Sequence, residues 1–257
     1  MKWTVLDDYD ALSERAAEVV LDAVDRNPRS RLGLPTGRTP RGMYRELVSR
    51  CRTRYHCFTE IETFNLDEYV GIPVDHPGSY ASFMATNFLD HVDVSPDNVH
   101  IPTGDPELLR ARFGETDDIA ALLARECEWY DAEVSEGGGL DLIVLGVGRN
   151  GHIAFNEPGT SFESRTHVVR LDESTRSANA GDFPGEDVPL LAITMGLATI
   201  LESRKVLLLA SGKSKRDPLE RLLEGEKGQD LPVSILRDHP DVEILTDAEA
   251  NPLDETR

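Results

Sequence analysis

The chain has 257 residues, 39% of them apolar, which suits one large α/β domain and holds no run long enough to cross a membrane. Against 27 basic residues stand 47 acidic ones, a formal net charge of −20, and such a field repels nucleic acid and anionic lipid. The acidic residues run throughout rather than forming a tail. That is the surface of a protein kept soluble in concentrated salt, so a high-salt (halophilic) cytoplasm is expected. The first residues, Met1-Lys2-Trp3-Thr4-Val5-Leu6-Asp7-Asp8, lack the apolar segment of a secretory leader, which also points to the cytoplasm. Cys51, Cys57 and Cys127 are odd in number and lack Cys-x-x-Cys spacing, so they read as reduced thiols, with no metal site.

Taken in chain order, apolar residues recur at helical spacing over 11–24, and 30–35 reads as a short strand. Thr36-Gly37-Arg38-Thr39-Pro40 leads into a helix over 41–50, with Thr39 as its expected N-cap and Pro40 in its first position. Residues 61–66 form a second strand ending at Asp67-Glu68-Tyr69, and 98–101 a short one. Helix is expected over 107–134 with a break near Gly114, then the clearest strand at 141–147. An edge strand at 168–171 is followed by 191–195 leading into a helix to 202, and by an apolar strand at 205–210. Ser211-Gly212-Lys213-Ser214-Lys215 opens a helix to 223, 242–245 is a last strand, and 247–257 is a loose acidic tail. Strands alternating with helices predict one doubly wound α/β domain over 1–257, a mostly parallel, Rossmann-like sheet with helices on both faces.

The chemistry gathers in strand-to-helix loops, which an open parallel sheet brings to one edge. Gly146-Val147-Gly148-Arg149-Asn150-Gly151-His152 is followed by Asn156 and Glu157. An imidazole near a carboxylate suits proton transfer at neutral pH. A lone histidine is more often structural, but Asn150, Asn156 and Glu157 around His152 favour function. His56, His76, His91, His100, His167 and His239 have no such company. Thr36, Gly37, Arg38 and Thr39 at a helix start offer an anion site and equally a capped turn. Lys213 and Lys215, two of only five lysines, fall in one loop, which favours an anion role. Asp67 and Glu68 fit a general base, though an isolated Asp-Glu pair is more often a solvated loop start. Together these residues describe a metal-free acid–base enzyme acting on a small phosphorylated molecule.

The chain resembles the glucosamine-6-phosphate deaminases. The resemblance rests on Leu34-Pro35-Thr36-Gly37 with Thr39-Pro40, on Phe64-Asn65-Leu66-Asp67-Glu68-Tyr69-Val70-Gly71, and on His76-Pro77-Gly78-Ser79-Tyr80 with Ser82-Phe83-Met84. It continues through Asn150-Gly151-His152-Ile153-Ala154-Phe155-Asn156-Glu157-Pro158 and Thr175-Arg176-Ser177-Ala178-Asn179. The related 6-phosphogluconolactonases share the Gly-His core but usually lack Phe-Asn-Glu-Pro. The resemblance implies conversion of glucosamine-6-phosphate and water to fructose-6-phosphate and ammonium without metal or organic cofactor. It implies that His152, positioned by Glu157 and Asn150, assists ring opening, and that Asp67 moves the proton between C2 and C1. The phosphate would sit on the 36–39 loop with Lys215 opposite. The implied partner is a small sugar phosphate, with monomer and homo-oligomer both open.

Four positions depart from that family's pattern. Asn150 stands where some members have Asp; an amide orients an imidazole without neutralising its charge. Arg38 replaces a small residue, and so either blocks the loop or offers a guanidinium to the phosphate; Gly181 replaces an arginine that contacts phosphate, and Arg38 is expected to supply the missing guanidinium. His167 and Val169 stand where allosteric members carry the basic residues of an activator site, so cooperative activation is not expected. Tyr80 and Phe83 fit a lid or a helix face, with packing the reading for Phe83. The alternatives are a lactonase, a deaminase of another amino-sugar phosphate such as galactosamine-6-phosphate, and a sugar-phosphate sensor without turnover. The sensor reading leaves Asp67, His152 and Glu157 unexplained.

Overall fold

Apolar runs without a polar face become parallel strands covered on both sides. The computed structural model describes residues 1–53 and 58–253; His56, Cys57 and the end of the expected tail lie outside the described residues. The elements, in order, are β1 (Lys2–Leu6), α1 (Tyr9–Arg26), β2 (Arg31–Leu34), α2 (Arg41–Thr53), β3 (Glu62–Asn65) and β4 (Asp67–Tyr69). Next come α3 (Tyr80–Asn87), β5 (Val99–His100), α4 (Pro106–Phe113), α5 (Ile119–Glu136), β6 (Leu142–Gly146), β7 (His167–Arg170) and α6 (Glu173–Asn179). The chain continues with β8 (Leu191–Thr194), α7 (Leu197–Leu201), β9 (Val206–Ala210), α8 (Arg216–Glu224) and β10 (Val242–Asp247).

Seven strands form one sheet in the order β1-β10-β9-β6-β2-β3-β5, and every pairing within it is parallel. Because side chains alternate along a strand, Leu142 and Val144 join a core with α1 and α2, while Ile143 and Leu145 join one with α5, α7 and α8. Strand order reverses at the β2–β6 pair: β3 and β5 continue outward from β2, and β9, β10 and β1 from β6. Gly33 lets β2 and β6 approach there, since a Cβ would lie 2.6 Å from Ile143 Cγ1. Such a reversal opens a crevice at the carboxyl ends of the strands.

Several expectations need correction. A second, antiparallel sheet of order β4-β8-β7 was not anticipated; it turns β4 away from β3 and over the carboxyl edge. Strand β1 also went unread: its residues are mostly exposed or half-buried, so it carries little apolar signal. Residues 247–251 are no loose tail. Asp247 ends a fully buried β10, and its carboxylate accepts from Ser211 Oγ, from the Gly212 backbone N–H and from the Ala250 backbone N–H at 2.8 Å. Helix α2 begins at Arg41 as expected and runs on to Thr53, but Thr39 is not its cap. Pro40 O accepts from Tyr44 N, and the Tyr9 hydroxyl accepts from Gly42 N at 2.8 Å. Among the described residues no helix is long and apolar enough to cross a membrane, and no His, Cys, Asp and Glu group could hold a metal ion.

Candidate active site

A cavity of about 310 Å³ opens at the reversal of strand order. The loop after β2 supplies Thr36, Gly37, Arg38 and Thr39; the loop after β6 supplies Arg149, Asn150 and His152; the loop after β9 supplies Ser211, Ser214 and Lys215. Asp67 enters from the start of β4, and Thr175 and Asn179 from α6. Asp67, Asn150, His152, Thr36, Gly37, Arg38, Thr39 and Lys215 therefore border this cavity, while Glu157 stands behind His152, and Glu68, Asn156 and Lys213 do not line it.

Glu157 is nearly buried and collects donors. Its Oε2 lies 3.4 Å from His152 Nδ1 and accepts from Asn150 Nδ2 at 2.7 Å. Its Oε1 accepts from Thr175 Oγ1 at 2.6 Å and from Asp172 N at 3.3 Å. Burial pushes this carboxyl up, but the hydrogen bond and charge of His152 and the bonds from Thr175 and Asn150 outweigh it and bring it down to about 2. An ionised carboxylate at Nδ1 fixes the imidazole's orientation and leaves Nε2 for the cavity. The Asn150 amide holds this carboxylate rather than the imidazole, and its Oδ1 accepts from His152 N at 3.3 Å.

The turn beneath the imidazole is rigid. Asn156 Nδ2 donates to Ile153 O and to Met195 O, and Phe155 N donates to Thr194 Oγ1, so the loop is fastened to the end of β8. Ala154 takes φ 50°, the left-handed region, inside this turn.

Asp67 is 6% exposed, and among the described residues no group donates a hydrogen bond to its carboxylate. Desolvation, and after it the charge of Glu68, raise its affinity for a proton well above the usual carboxylate range. A buried, unpaired carboxylate facing a polar cavity is what a general base requires.

Three cationic side chains, Arg38, Arg149 and Lys215, line the same cavity. Lys215 Nζ donates to Val147 O at 2.6 Å; desolvation, and then the charge of Arg149, bring it down to about 8. Arg38 is exposed, and its Nη2 lies 3.5 Å from where a Cβ on Gly181 would stand. Arg149 and Thr175 were not assigned roles from the sequence. Arg149 is one more polar residue of the Gly-His loop, and the contact of Thr175 with Glu157, 18 residues away, forms only on folding. Tyr80 lines the cavity, stacked on Phe155 at 5.7 Å, while Phe83 packs edge-on against Tyr44.

A parallel sheet that brings a carboxylate-backed imidazole, a buried carboxylate and the side chains of Arg38, Arg149 and Lys215 to one cavity is the architecture of an α/β enzyme. The chain belongs to the family of glucosamine-6-phosphate isomerases and 6-phosphogluconolactonases, which matches residues 7–244. It is 47% identical to glucosamine-6-phosphate deaminase 1 of Bacillus subtilis, over 94% of this chain and 95% of that one. A solved structure described as a monomeric glucosamine-6-phosphate deaminase is 46% identical, covers 97% of this chain and 98% of its own, and superposes with a TM-score of 0.88. The 6-phosphogluconolactonase of Trypanosoma brucei is 20% identical with a TM-score of 0.75 over 97% of both chains, a likeness of fold.

Proposed function

We infer that this chain deaminates glucosamine-6-phosphate, taking it and water to fructose-6-phosphate and ammonium. The observation that carries this is a pair of acid–base groups on one cavity: Asp67, a buried carboxylate without a hydrogen-bond donor among the described residues, and His152, backed at 3.4 Å by Glu157. Groups whose environments are pushed apart in this way divide the acid and base roles of a proton-transfer reaction. Relatives named as deaminases at 42–47% identity over nearly the whole chain support the same substrate, whereas the lactonases share the fold alone.

His152 Nε2 moves a proton at the ring oxygen as the pyranose opens, with Glu157 stabilising the imidazolium. Asp67 takes the C2 proton to give an enolamine and returns it to C1. The resulting imine adds water and releases its nitrogen as ammonium. Each positioned acid–base group contributes about 10²–10⁴-fold. The phosphate lies on Thr36, Gly37, Arg38 and Thr39 with Lys215 opposite, where backbone N–H groups at the start of α2 add their partial positive charge. The reaction runs in the cytoplasm at high salt. There the Debye length falls from about 10 Å at 0.1 M to about 3 Å at 1 M, and the self-repulsion of 47 acidic groups fades. A melting temperature that climbs from 0.1 to 2 M KCl is the expected result; one that falls removes the high-salt reading.

The test is ammonium release from glucosamine-6-phosphate in molar KCl, with wild type beside Asp67→Asn and His152→Gln. Release that collapses in both variants establishes the reaction and both roles. A folded wild type that binds the sugar phosphate and releases nothing refutes it.

A further inference from the structure

Glu68 is the acid next to the proposed base, and the structure uses it differently. Strand alternation turns the two carboxylates to opposite faces of β4: Asp67 faces the cavity and Glu68 the N-terminus of α3. Glu68 is 3% exposed, and among the described residues it has no cationic partner. Its Oε1 accepts from Tyr69 N at 2.8 Å and Tyr80 N at 2.9 Å, and its Oε2 from Ala81 N at 2.9 Å. Ser79 Oγ accepts from Ser82 N at 3.0 Å. The first three N–H groups of α3 are thus satisfied, two of them by a carboxylate from another element. The orphan N–H groups of a helix start are ordinarily met by a cap from the same chain segment and by water, so a carboxylate buried here from another element calls for a further reason.

The reason lies in what the clamp holds. Tyr80, the first residue of α3, lines the cavity, stacks on Phe155 of the His152 loop and lies 4.9 Å from the Tyr69 ring. One side chain therefore ties together the strand carrying the base, the helix carrying Tyr80 and, through Phe155, the loop carrying the imidazole. We propose that Glu68 is a positioning residue for proton transfer, fastening α3 to β4 so that Asp67 meets substrate C2 and C1 in a fixed frame. The groups whose charge acts on or is acted on by Asp67 are Glu68 and the phenols of Tyr44, Tyr69, Tyr80 and Tyr130. Burial holds all four phenols neutral across the working range, so Glu68 is the ionisable neighbour that counts. Burial also pushes Glu68 itself up to about 7, opposed by its three backbone donors.

This inference rests on the reading of Asp67 as the base of the deamination. The test compares wild type, Glu68→Gln and Glu68→Asp for turnover, Michaelis constant and the acidic limb of kcat/KM against pH, with melting curves as the check on folding. Glu68→Gln removes the charge behind Asp67, which then ionises at lower pH. Its kcat should fall about 10-fold or more with the Michaelis constant little changed, and its acidic limb should move to lower pH. Glu68→Asp keeps the charge and shortens the reach, so turnover falls while the limb stays in place. A folded Glu68→Gln enzyme with wild-type turnover, or with reduced turnover and an unmoved limb, overturns the proposal. Where Glu68→Gln does not fold, Glu68→Asp decides: reduced turnover with the limb in place supports the proposal, and wild-type turnover overturns it. Failure of both to fold makes Glu68 a folding residue and also overturns it. A wild type without turnover refutes the deaminase reading instead, and the two failures stay distinct.

Discussion

The imidazole of His152 rests on the Cα of Gly148, so closely that a methyl group there would overlap the ring atoms Cε1, Nδ1 and Nε2. Gly148 N also donates to His152 O at 2.8 Å, and Gly151 N to Gly148 O at 3.1 Å, which closes the loop around the ring. The glycine is therefore half of the device that aims the imidazole; Glu157 is the other half.

Gly148→Ala should displace the ring from Glu157 while leaving the sheet intact. Displacements near 1 Å in a catalytic group reduce rates about 10²-fold, and overpacking here should lower stability by about 1–3 kcal/mol. Turnover measured beside a chemical melt separates the two effects. Wild-type turnover in a folded Gly148→Ala protein would show that the ring's position is not set here.

Asp67→Asn should lose activity and gain stability. Burial raises this carboxyl well above its unfolded value, so the folded state resists its ionisation and loses stability as pH rises from about 4 through the folded value. An amide removes that penalty. At neutral pH the variant should melt above wild type, with ammonium release down about 10²–10⁴-fold. Equal or lower melting would mean that the carboxylate has a stabilising partner.

What could be read in the sequence was the material that folds locally or is buried throughout. Residues of β6 and β9 are continuous apolar runs because both faces of a parallel sheet are covered, and both were recognised. The site loops were legible because glycine, histidine and paired polar residues are costly inside a core. The role of Glu68 was not, because its partners Tyr80 and Ala81 lie 12 and 13 residues away at the start of a helix with no strong apolar stripe. Asp247 is illegible for the same reason. Its worth lies in holding Ser211 and Gly212, 36 and 35 residues earlier, in the loop that carries Lys215.

Glu157→Gln should weaken orientation of the imidazole and change the acid stability of the fold. The carboxyl is held at about 2, below its unfolded value of 4.5. Its contribution is thus present above pH 4.5 and is lost as pH falls toward 2. Subtracting the variant's melting curve from that of wild type should show this loss inside that window and a flat difference above it. A difference unchanged between pH 5 and pH 2 would mean that the carboxylate is not held by His152, Thr175 and Asn150 in solution.

Arg38→Ala tests how this chain holds a phosphate with glycine at position 181. The Arg38 guanidinium reaches to 3.5 Å from the place of a Gly181 Cβ, and Asp182, which also borders the cavity, lies 3.7 Å from Arg41 rather than being paired with Arg38. Among the described residues no carboxylate pairs with the Arg38 side chain, so it is available to a bidentate oxyanion. Losing one such charge-assisted contact should raise the Michaelis constant about 10-fold, the equivalent of about 1.5 kcal/mol, with kcat nearly unchanged. Because the contact is electrostatic and partly exposed, the gap between wild type and variant should narrow as KCl rises from 0.1 to 2 M. An unchanged Michaelis constant at low salt would leave the phosphate to Lys215 and the 36–39 backbone alone. The double variant Arg38→Ala with Gly181→Arg then decides the matter: recovery of the wild-type constant shows that the two positions exchange one guanidinium.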